Sequence, residues 1–372
     1  MKNPSLRHPK SFLPAFSGRS AAVLRCALLA ALAAGAAAAW RPGMAASLTP
    51  AQRAALEAQR AAIEAQKQAA LEAQRRLLAE YRQAVADRGA NAVAMGQTAS
   101  IMLLDTELGT VAQRQGELRT RPERGGFWLR GAASGYQVET ADASAFDQDA
   151  SAVSAGADYA WAGQAGTLYL GGFVGMSRSG QDAEFGTHGK IDSRYAGIYL
   201  SYEHQSGLYL DVVNKVGRIE QDVRFDLPLD RGEYADNVSH TTYSGSIETG
   251  YHWNLGSGWF VEPQLQGIYT RSSQTSVQGR AGLRAGRSIA LQQGGVMQPY
   301  VKASYLKQFS HDDTVSFGNT DYHVALPGNR WQLGGGLGVE SGRHGAFVDV
   351  QYGHGASVSH ELTASIGYRF RF

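Results

Sequence analysis

From Gly126 to the last residue the chain alternates apolar and polar side chains with period two, and no other feature narrows its fold as much. In the final segment Leu362, Ala364, Ile366, Tyr368, Phe370 and Phe372 are apolar, while Thr363, Ser365, Gly367, Arg369 and Arg371 between them are small or polar. Successive strand side chains point to opposite faces, so this segment is a strand with one greasy and one wet face. Turn signals rich in Gly, Asn, Asp and Ser recur about every 15–25 residues. Soluble sandwiches turn about every 8–12.

The spacing predicts twelve strands: Gly126–Ser134, Ala152–Trp161, Thr167–Ser179, Asp192–His204, Leu208–Phe225, His240–Asn254, Trp259–Ser276, Leu283–Leu291, Gln298–Ser310, Trp331–Ser341, Ala346–Tyr352 and Glu361–Phe372. Alternate connections are short (Ala162–Gly166, Gln205–Gly207, Leu255–Gly258, Gln292–Met297, Gly342–Gly345). The intervening ones are mostly longer (Gly135–Ser151, Gly180–Ile191, Asp226–Ser239, His311–Arg330). Short turns on one side and long loops on the other are the pattern of an outer-membrane barrel. Lipid cannot satisfy an open sheet edge, so such strands must close, and each needs only about 9–11 residues to cross.

Aromatics beside the turns are expected to form the two interfacial girdles: Trp128, Trp161, Tyr169, Tyr202, Tyr209, Trp253, Trp259, Phe260, Tyr300, Trp331, Tyr352 and Tyr368. Polar residues alternating with the greasy ones are expected to line the lumen: Arg130, Lys215, Arg218, Glu220, Glu248, Glu262, Gln264, Lys302, Gln332, Glu340 and Asp349. A lumen of this strand number has room for a helix about 10 Å across.

Composition supports the same class. Gly numbers 45 of 372 residues and charged residues make up 18 %; roughly 7 % Gly and ~25 % charge are usual. From Arg119 onward lie 38 of the 45 Gly and 16 of the 17 Tyr, so the excess belongs to the strand region. The mean hydropathy of -0.28 excludes a polytopic helical membrane protein. A formal charge of +2 gives no field that would draw nucleic acid. The single cysteine, Cys26, excludes an intramolecular disulfide and a Cys-based zinc site.

The N-terminal third follows different rules. Lys2, Arg7, Lys10 and Arg19 precede an apolar run, Ala22–Ala39, and small residues at Gly43, Ala45 and Ala46 mark a cleavage point before Ser47. Residues 1–46 are therefore expected to be a signal peptide, a permanent anchor being the alternative, and Cys26 to leave with it. From Thr49-Pro50, an N-cap followed by Pro at the first helical position, residues 47–88 read as a charged helix. It repeats Ala54-Ala55-Leu56-Glu57-Ala58-Gln59-Arg60 with slight changes, and its stripe of Leu56, Ile63, Leu71 and Leu78 is thinner than a coiled-coil seam. Residues 89–120 lose charge and gain small side chains (Ala90, Ala92, Ala94, Gly96, Ala99), a slim helix that fits a narrow space.

Several runs then resemble the β-domain of autotransporters. Gln113-Arg114-Gln115-Gly116-Glu117-Leu118-Arg119 is similar to the run preceding that family's first strand. Gly126–Gly131, Gly258–Gln264, Gln298–Ser304, Arg330–Gly334 and the ending Gly367-Tyr368-Arg369-Phe370-Arg371-Phe372 follow in family order, over roughly residues 90–372. The resemblance implies an all-β fold: a 12-stranded antiparallel transmembrane β-barrel over residues 121–372, with a helix through its pore. It places Leu104, Gly116, Glu117, Leu118 and Arg119 in the pore helix. It makes Tyr368, Phe370 and Phe372 the assembly signal read by the outer-membrane barrel-assembly machinery. It also implies secretion or display of an N-terminal passenger, here a short charged helix, with adhesion or contact with host surface ligands as its role. Some members cut their pore helix at an Asn pair, where this sequence has Val111-Ala112; the Asn nearby is Asn91.

No catalytic, cofactor or metal residues are assigned. The ten His show no His-x-x-x-His spacing and no Gly-x-Ser-x-Gly elbow occurs. Gly334-Gly335-Gly336-Leu337-Gly338 lies on an expected strand, where close strand approach accounts for it better than a dinucleotide. The expectation is an outer-membrane translocator that is not an enzyme and binds no nucleic acid. Its alternative is a small outer-membrane pore or structural protein with a periplasmic helix.

Overall fold

The computed structural model describes residues 49–118, 125–139, 144–292, 294–310, 313–317, 320–324 and 326–372, with side chains for all of these except 110, 112–118, 313–317 and 320–323. The expected signal peptide, Cys26 and Arg119 lie outside the described residues. One helix, α1, runs unbroken from Pro50 to Leu118, opened by Thr49, whose Oγ1 accepts the Gln52 N–H at 3.3 Å. Two compact units divide at Leu77 and Leu78. In the first, helix residues 50–76 are exposed, including Leu56, Ile63 and Leu71.

In the second unit, among the described residues, twelve strands form the barrel: β1 (Gly126–Val138), β2 (Phe146–Ala162), β3 (Gly166–Ala183), β4 (Thr187–His204), β5 (Leu208–Asp226), β6 (Glu233–Tyr251), β7 (Trp259–Arg271), β8 (Thr275–Arg287), β9 (Val296–Gln308), β10 (Arg330–Ser341), β11 (His344–Gly355) and β12 (Val358–Arg371). Each pairs antiparallel with its neighbours in sequence. The sheet closes where β1 pairs β12, from Gly126 opposite Arg371 to Val138 opposite Val358. Short strands Trp253–Gly256 and Ile289–Ala290 extend two turns, and a hairpin of Asp313–Phe317 with Thr320–Val324 lies in the β9–β10 connection. Closure leaves no unpaired edge facing lipid, and the part of α1 from Gly89 onward is buried in the lumen.

Each expected strand overlaps its counterpart among the twelve, but the boundaries move for an instructive reason. The regions read as long loops, Gly135–Ser151 and Gly180–Ile191, are mostly strand, so β2 to β6 reach 17–19 residues while β1 and β7 to β12 have 12–14. Their Gly and Asp residues belong to a sheet that continues past the lipid, where polar side chains suit both faces. The seventh strand ends at Arg271 rather than at Ser276, and the turn 272–274 follows. The side asymmetry thus takes the form of an overhanging wall plus one long connection, 309–329, at what we call the extended mouth.

Parity sorts the side chains. On β12, Leu362, Ala364, Ile366 and Tyr368 face outward, as does Phe372 just beyond its end, and Glu361, Arg369 and Arg371 are buried in the lumen. Seven of the twelve aromatics assigned to girdles face outward: Trp161, Tyr202, Trp253, Trp259, Trp331, Tyr352 and Tyr368. Trp128, Tyr169, Tyr209 and Phe260 are instead buried inside, and Tyr300 points in to bond Asp349. Nearness to a turn does not set the face; strand parity does.

Those inward rings account for much of the glycine. Across neighbouring strands, Trp128, Phe173, Tyr195, Tyr199, Tyr209, Phe260, Tyr300 and Phe347 stand directly opposite Gly156, Gly197, Gly175, Gly171, Gly250, Gly286, Gly336 and Gly367. A Cβ on any of these glycines would come within 2.0–2.6 Å of the facing ring. Each ring therefore lies flat over a strand that carries no side chain there. In the Gly334–Gly338 run, Gly334 and Gly336 likewise admit Lys302 and Tyr300.

Candidate functional site

The candidate site is the lumen around helix α1. Burial sets in at Gly89, where the sequence changes to small residues. Gly96 lies so close to β5 that a Cβ would overlap the Gln221 amide, which is why a slim helix is needed. Met95, Ala99, Met102, Leu103 and Leu104 pack with Tyr136, Val138, Phe146, Ile191 and Ile219. Nearer the short turns, Leu108 and Val111 pack with Trp128, Phe173, Tyr195, Tyr199 and Val213. Both clusters draw mainly on β1 to β5.

Polar contacts fix the helix's register. Glu107, fully buried, pairs with the equally buried Lys215 of β5 and accepts the Ser177 hydroxyl of β3 at 2.6 Å. Lys215 also lies 4.9 Å from the Tyr195 ring centroid. Such a pair fixes register more than it stabilises, because desolvation offsets most of its attraction. Thr106 and Tyr136 share a hydrogen bond of 2.8 Å, and the Gln148 amide donates to Ala99 O at 3.0 Å. On the opposite side Asp105 accepts from Arg330 and Gln278, each at 3.1 Å, and Arg330 Nε reaches Glu361 at 3.2 Å.

Between the helix, β1 and β6 to β12 lies a cavity of about 220 Å³. Arg280, Arg284, Lys302 and Arg330 line it together with Glu248, Glu340, Asp349 and Glu361. Arg280 pairs with Glu248 at 2.7 Å, Lys302 with Asp349 at 2.7 Å and Arg371 with Glu340 at 2.5 Å, so the charges are largely balanced.

The expected lumen residues Arg130, Glu248, Glu262, Lys302 and Glu340 all point inward. Arg130 lies over the Phe347 ring at 4.5 Å, and Glu262 accepts from the Gln264 amide at 2.8 Å beside His252 at 3.0 Å. Lys215, Gln264, Gln332 and Asp349 point inward as well. Arg218 and Glu220 do not: on β5 the odd positions face the lumen, so Ile219 is inside and these two are exposed outside. Leu104 is buried against the wall, whereas Gly116, Glu117 and Leu118 lie in the last turn of α1 with side chains outside the described residues. The helix partners Asp105 and Glu107 carried no signal as pore residues beyond being charges in a low-charge segment. Tyr368, Phe370 and Phe372 stand on the outer face at the β1–β12 seam, where the Phe127 and Phe372 rings are 5.4 Å apart.

The helix has a polarity within the barrel. Its Arg88 donates to Asp226 O at 2.5 Å and lies 4.7 Å from the ring of Phe185 at the β3–β4 turn. Arg231 lies 5.4 Å from the Tyr81 ring, and the Asn91 amide reaches Ser144 at 3.4 Å. These contacts are all at the extended mouth. Leu108 and Val111 sit toward the opposite end, beside Trp128 near the start of β1.

A helix-filled, closed twelve-stranded barrel has counterparts among known proteins. The family model for the autotransporter beta-domain matches residues 127–276 and 270–353. The chain belongs to the autotransporter β-domain family. Pertactin autotransporter of Bordetella bronchiseptica is 32 % identical over 306 residues, which cover 77 % of this chain and 33 % of that protein. The autotransporter chain described here thus spans about a third of the length of the curated relatives it matches. Among solved structures, the beta domain of the Bordetella autotransporter BrkA aligns with a TM-score of 0.58 at 27 % identity, covering 67 % of this chain and 100 % of that one. The translocator domain of NalP from Neisseria meningitidis aligns at 0.57 with 16 % identity, covering 75 % and 97 %, a likeness of fold alone. The autotransporter barrel is an outer-membrane translocator domain. Among the described residues no helix is long and apolar enough to cross a membrane, and the strands make the crossing.

Proposed function

We propose that this autotransporter barrel carries the segment preceding its lumen helix across the outer membrane and displays residues 47–88 as a short helical passenger, in adhesion or contact with host surface ligands. The observation that carries the reading is the polarity of α1: Tyr81, Arg88 and Asn91 are held at the extended mouth. Outer-membrane barrels keep short connections on the periplasmic side and place their larger ones outside, so that mouth faces the exterior. The reading assigns the barrel no reaction. Outer-membrane lipid covers its apolar face, and the barrel-assembly machinery reads Tyr368, Phe370 and Phe372.

An epitope placed at Gln66 tests display. Protease added to intact cells should remove it; protection until the outer membrane is permeabilised would overturn the reading. The small-pore alternative has the polar cavity in its favour and requires that protection. Deleting Phe372 should reduce the heat-modifiable folded form, and normal assembly of the deletion would refute the role given to the terminus.

A further inference from the structure

The outer surface of the tall wall ends its apolar belt abruptly. On β3, β4 and β5 the outward positions Val174, Ala196 and Val216 form one cross-strand row. The next row toward the extended mouth is Met176, Arg194 and Arg218. Measured from Leu208, Arg218 stands about 25 Å up the membrane normal, at ~3.3 Å per residue and a tilt of about 40°, which is the height of a barrel's apolar band. Arg194 and Arg218 are therefore at the level of lipid headgroups.

Their arrangement is unusual for a sheet. They are directly opposed on adjacent strands, and like charges so placed destabilise the pair. The row above holds Arg178, Asp192 and Glu220; Arg178 and Lys190 pair with Asp192 at 2.7 and 2.6 Å, and among the described residues Glu220 forms no ion pair with Arg194 or Arg218. Arg218 donates to the Ser239 hydroxyl at 2.8 Å, and among the described residues neither Arg194 nor Arg218 forms an ion pair. Beside them Met176, and below them Ile198 and Val216, are exposed, a surface suited to acyl chains.

We infer that Arg194 and Arg218 form a binding site for the phosphate of a phosphorylated glycolipid in the outer leaflet, its acyl chains lying along Met176, Ile198 and Val216. Two adjacent guanidiniums match a phosphate's oxygens in geometry as well as charge, and a bound phosphate removes the repulsion between them. The assignment to the outer leaflet rests on the orientation proposed above; the binding itself does not.

The test reconstitutes the full chain in phosphatidylcholine nanodiscs containing a minor fraction of either bisphosphorylated lipid A or the same lipid with both phosphates removed. Lipid retained after detergent exchange is counted by native mass spectrometry, with heat-modifiability confirming folding. The wild-type chain should retain the phosphorylated lipid preferentially. The R194Q/R218Q variant should lose that retention about thirtyfold, as expected for two basic groups near an anionic surface. R271Q/K307Q, which removes outward cations from β7 and β9, should keep it. Equal retention by R194Q/R218Q, equal retention of the dephosphorylated lipid, or an equal fall in R271Q/K307Q would each overturn the proposal. Because a nanodisc exposes both leaflets, the result is independent of the epitope experiment that tests orientation.

Discussion

The two walls of the barrel treat the same helix differently. The wall formed by β1 to β5 presents Trp128, Tyr136, Phe146, Phe173, Ile191, Tyr195 and Ile219 to the lumen, and the helix packs its apolar side chains against them. The wall formed by β7 to β12 presents Gln, Arg, Lys, Asp and Glu, and a cavity separates much of it from the helix. Strand geometry is the same in both, so the contrast resides in the inward half of the alternation. A plug held on one side by dispersion and on the other by charged contacts beside a cavity is held asymmetrically, and substitutions should show it.

The largest effect is expected where the dry wall carries a charge. Lys215→Met leaves the buried Glu107 carboxylate without its cation, at a cost of about 3–5 kcal/mol. Adding Glu107→Gln should restore most of that loss, since an intact pair contributes little net. Thermal unfolding in detergent micelles measures both, and single-channel conductance in planar bilayers reports whether the helix has left the lumen. A Lys215→Met barrel as stable as the wild type would erase the distinction between the walls.

Glycine substitutions sharpen the contrast at the next level. A Cβ on Gly175 would stand 2.4 Å from the Tyr195 ring, itself packed at 6.3 Å from Phe173 and beneath Lys215. Gly175→Ala should cost about 1–3 kcal/mol, the usual range for overpacking. On the wet wall Gly338 also faces the lumen but has nothing within 4 Å of a Cβ. Its replacement by Ala should leave the midpoint of unfolding unchanged, and equal losses at the two positions would show that the cavity is not open space.

Period two made the strand number, the closed barrel and the greasy C-terminal face legible, because one register slip would move every lipid-facing side chain into the lumen. The face of an individual residue was legible only where parity was followed along a whole strand. Lys215 was placed correctly, while Arg218 and Glu220, three and five residues further on, had to face outward. Loop lengths misled because an overhanging sheet, wet on both faces, uses the same Gly and Asp residues as a loop. The aromatic–glycine pairs could not be read at all, since each joins residues 20–41 apart whose opposition depends on register. Asp105 and Glu107 find their partners on β10 and β5, which sequence order does not reveal.

On the wet wall the counterpart to Lys215→Met is Asp105→Asn. Asp105 is partly accessible, and Arg330 keeps Glu361 when the Asp105 charge is removed. The loss should be about 1 kcal/mol, the usual net value of a hydrogen bond. The same unfolding assay decides the order, and a loss exceeding that of Lys215→Met would invert the comparison of the two walls.

The smallest effect belongs outside the lumen, where the tall wall overhangs the lipid. Hydrogen bonds from Lys190 and then Arg178 hold the Asp192 carboxyl below the usual carboxylate range. A depressed folded pKa contributes stability that is present above the ordinary value, about 3.9, and disappears as pH falls through the folded value. The group is more than a third exposed, so solvent and salt screen the contribution to within about 0.5 kcal/mol. Wild type should therefore exceed Asp192→Asn by a small, constant margin between neutral pH and about pH 5, and the margin should shrink below pH 4 and at high salt. A margin that grew on acidification would mean that the protonated carboxyl is the form favoured in the folded barrel, and the ion cluster above the apolar belt would then not be holding β3 to β4.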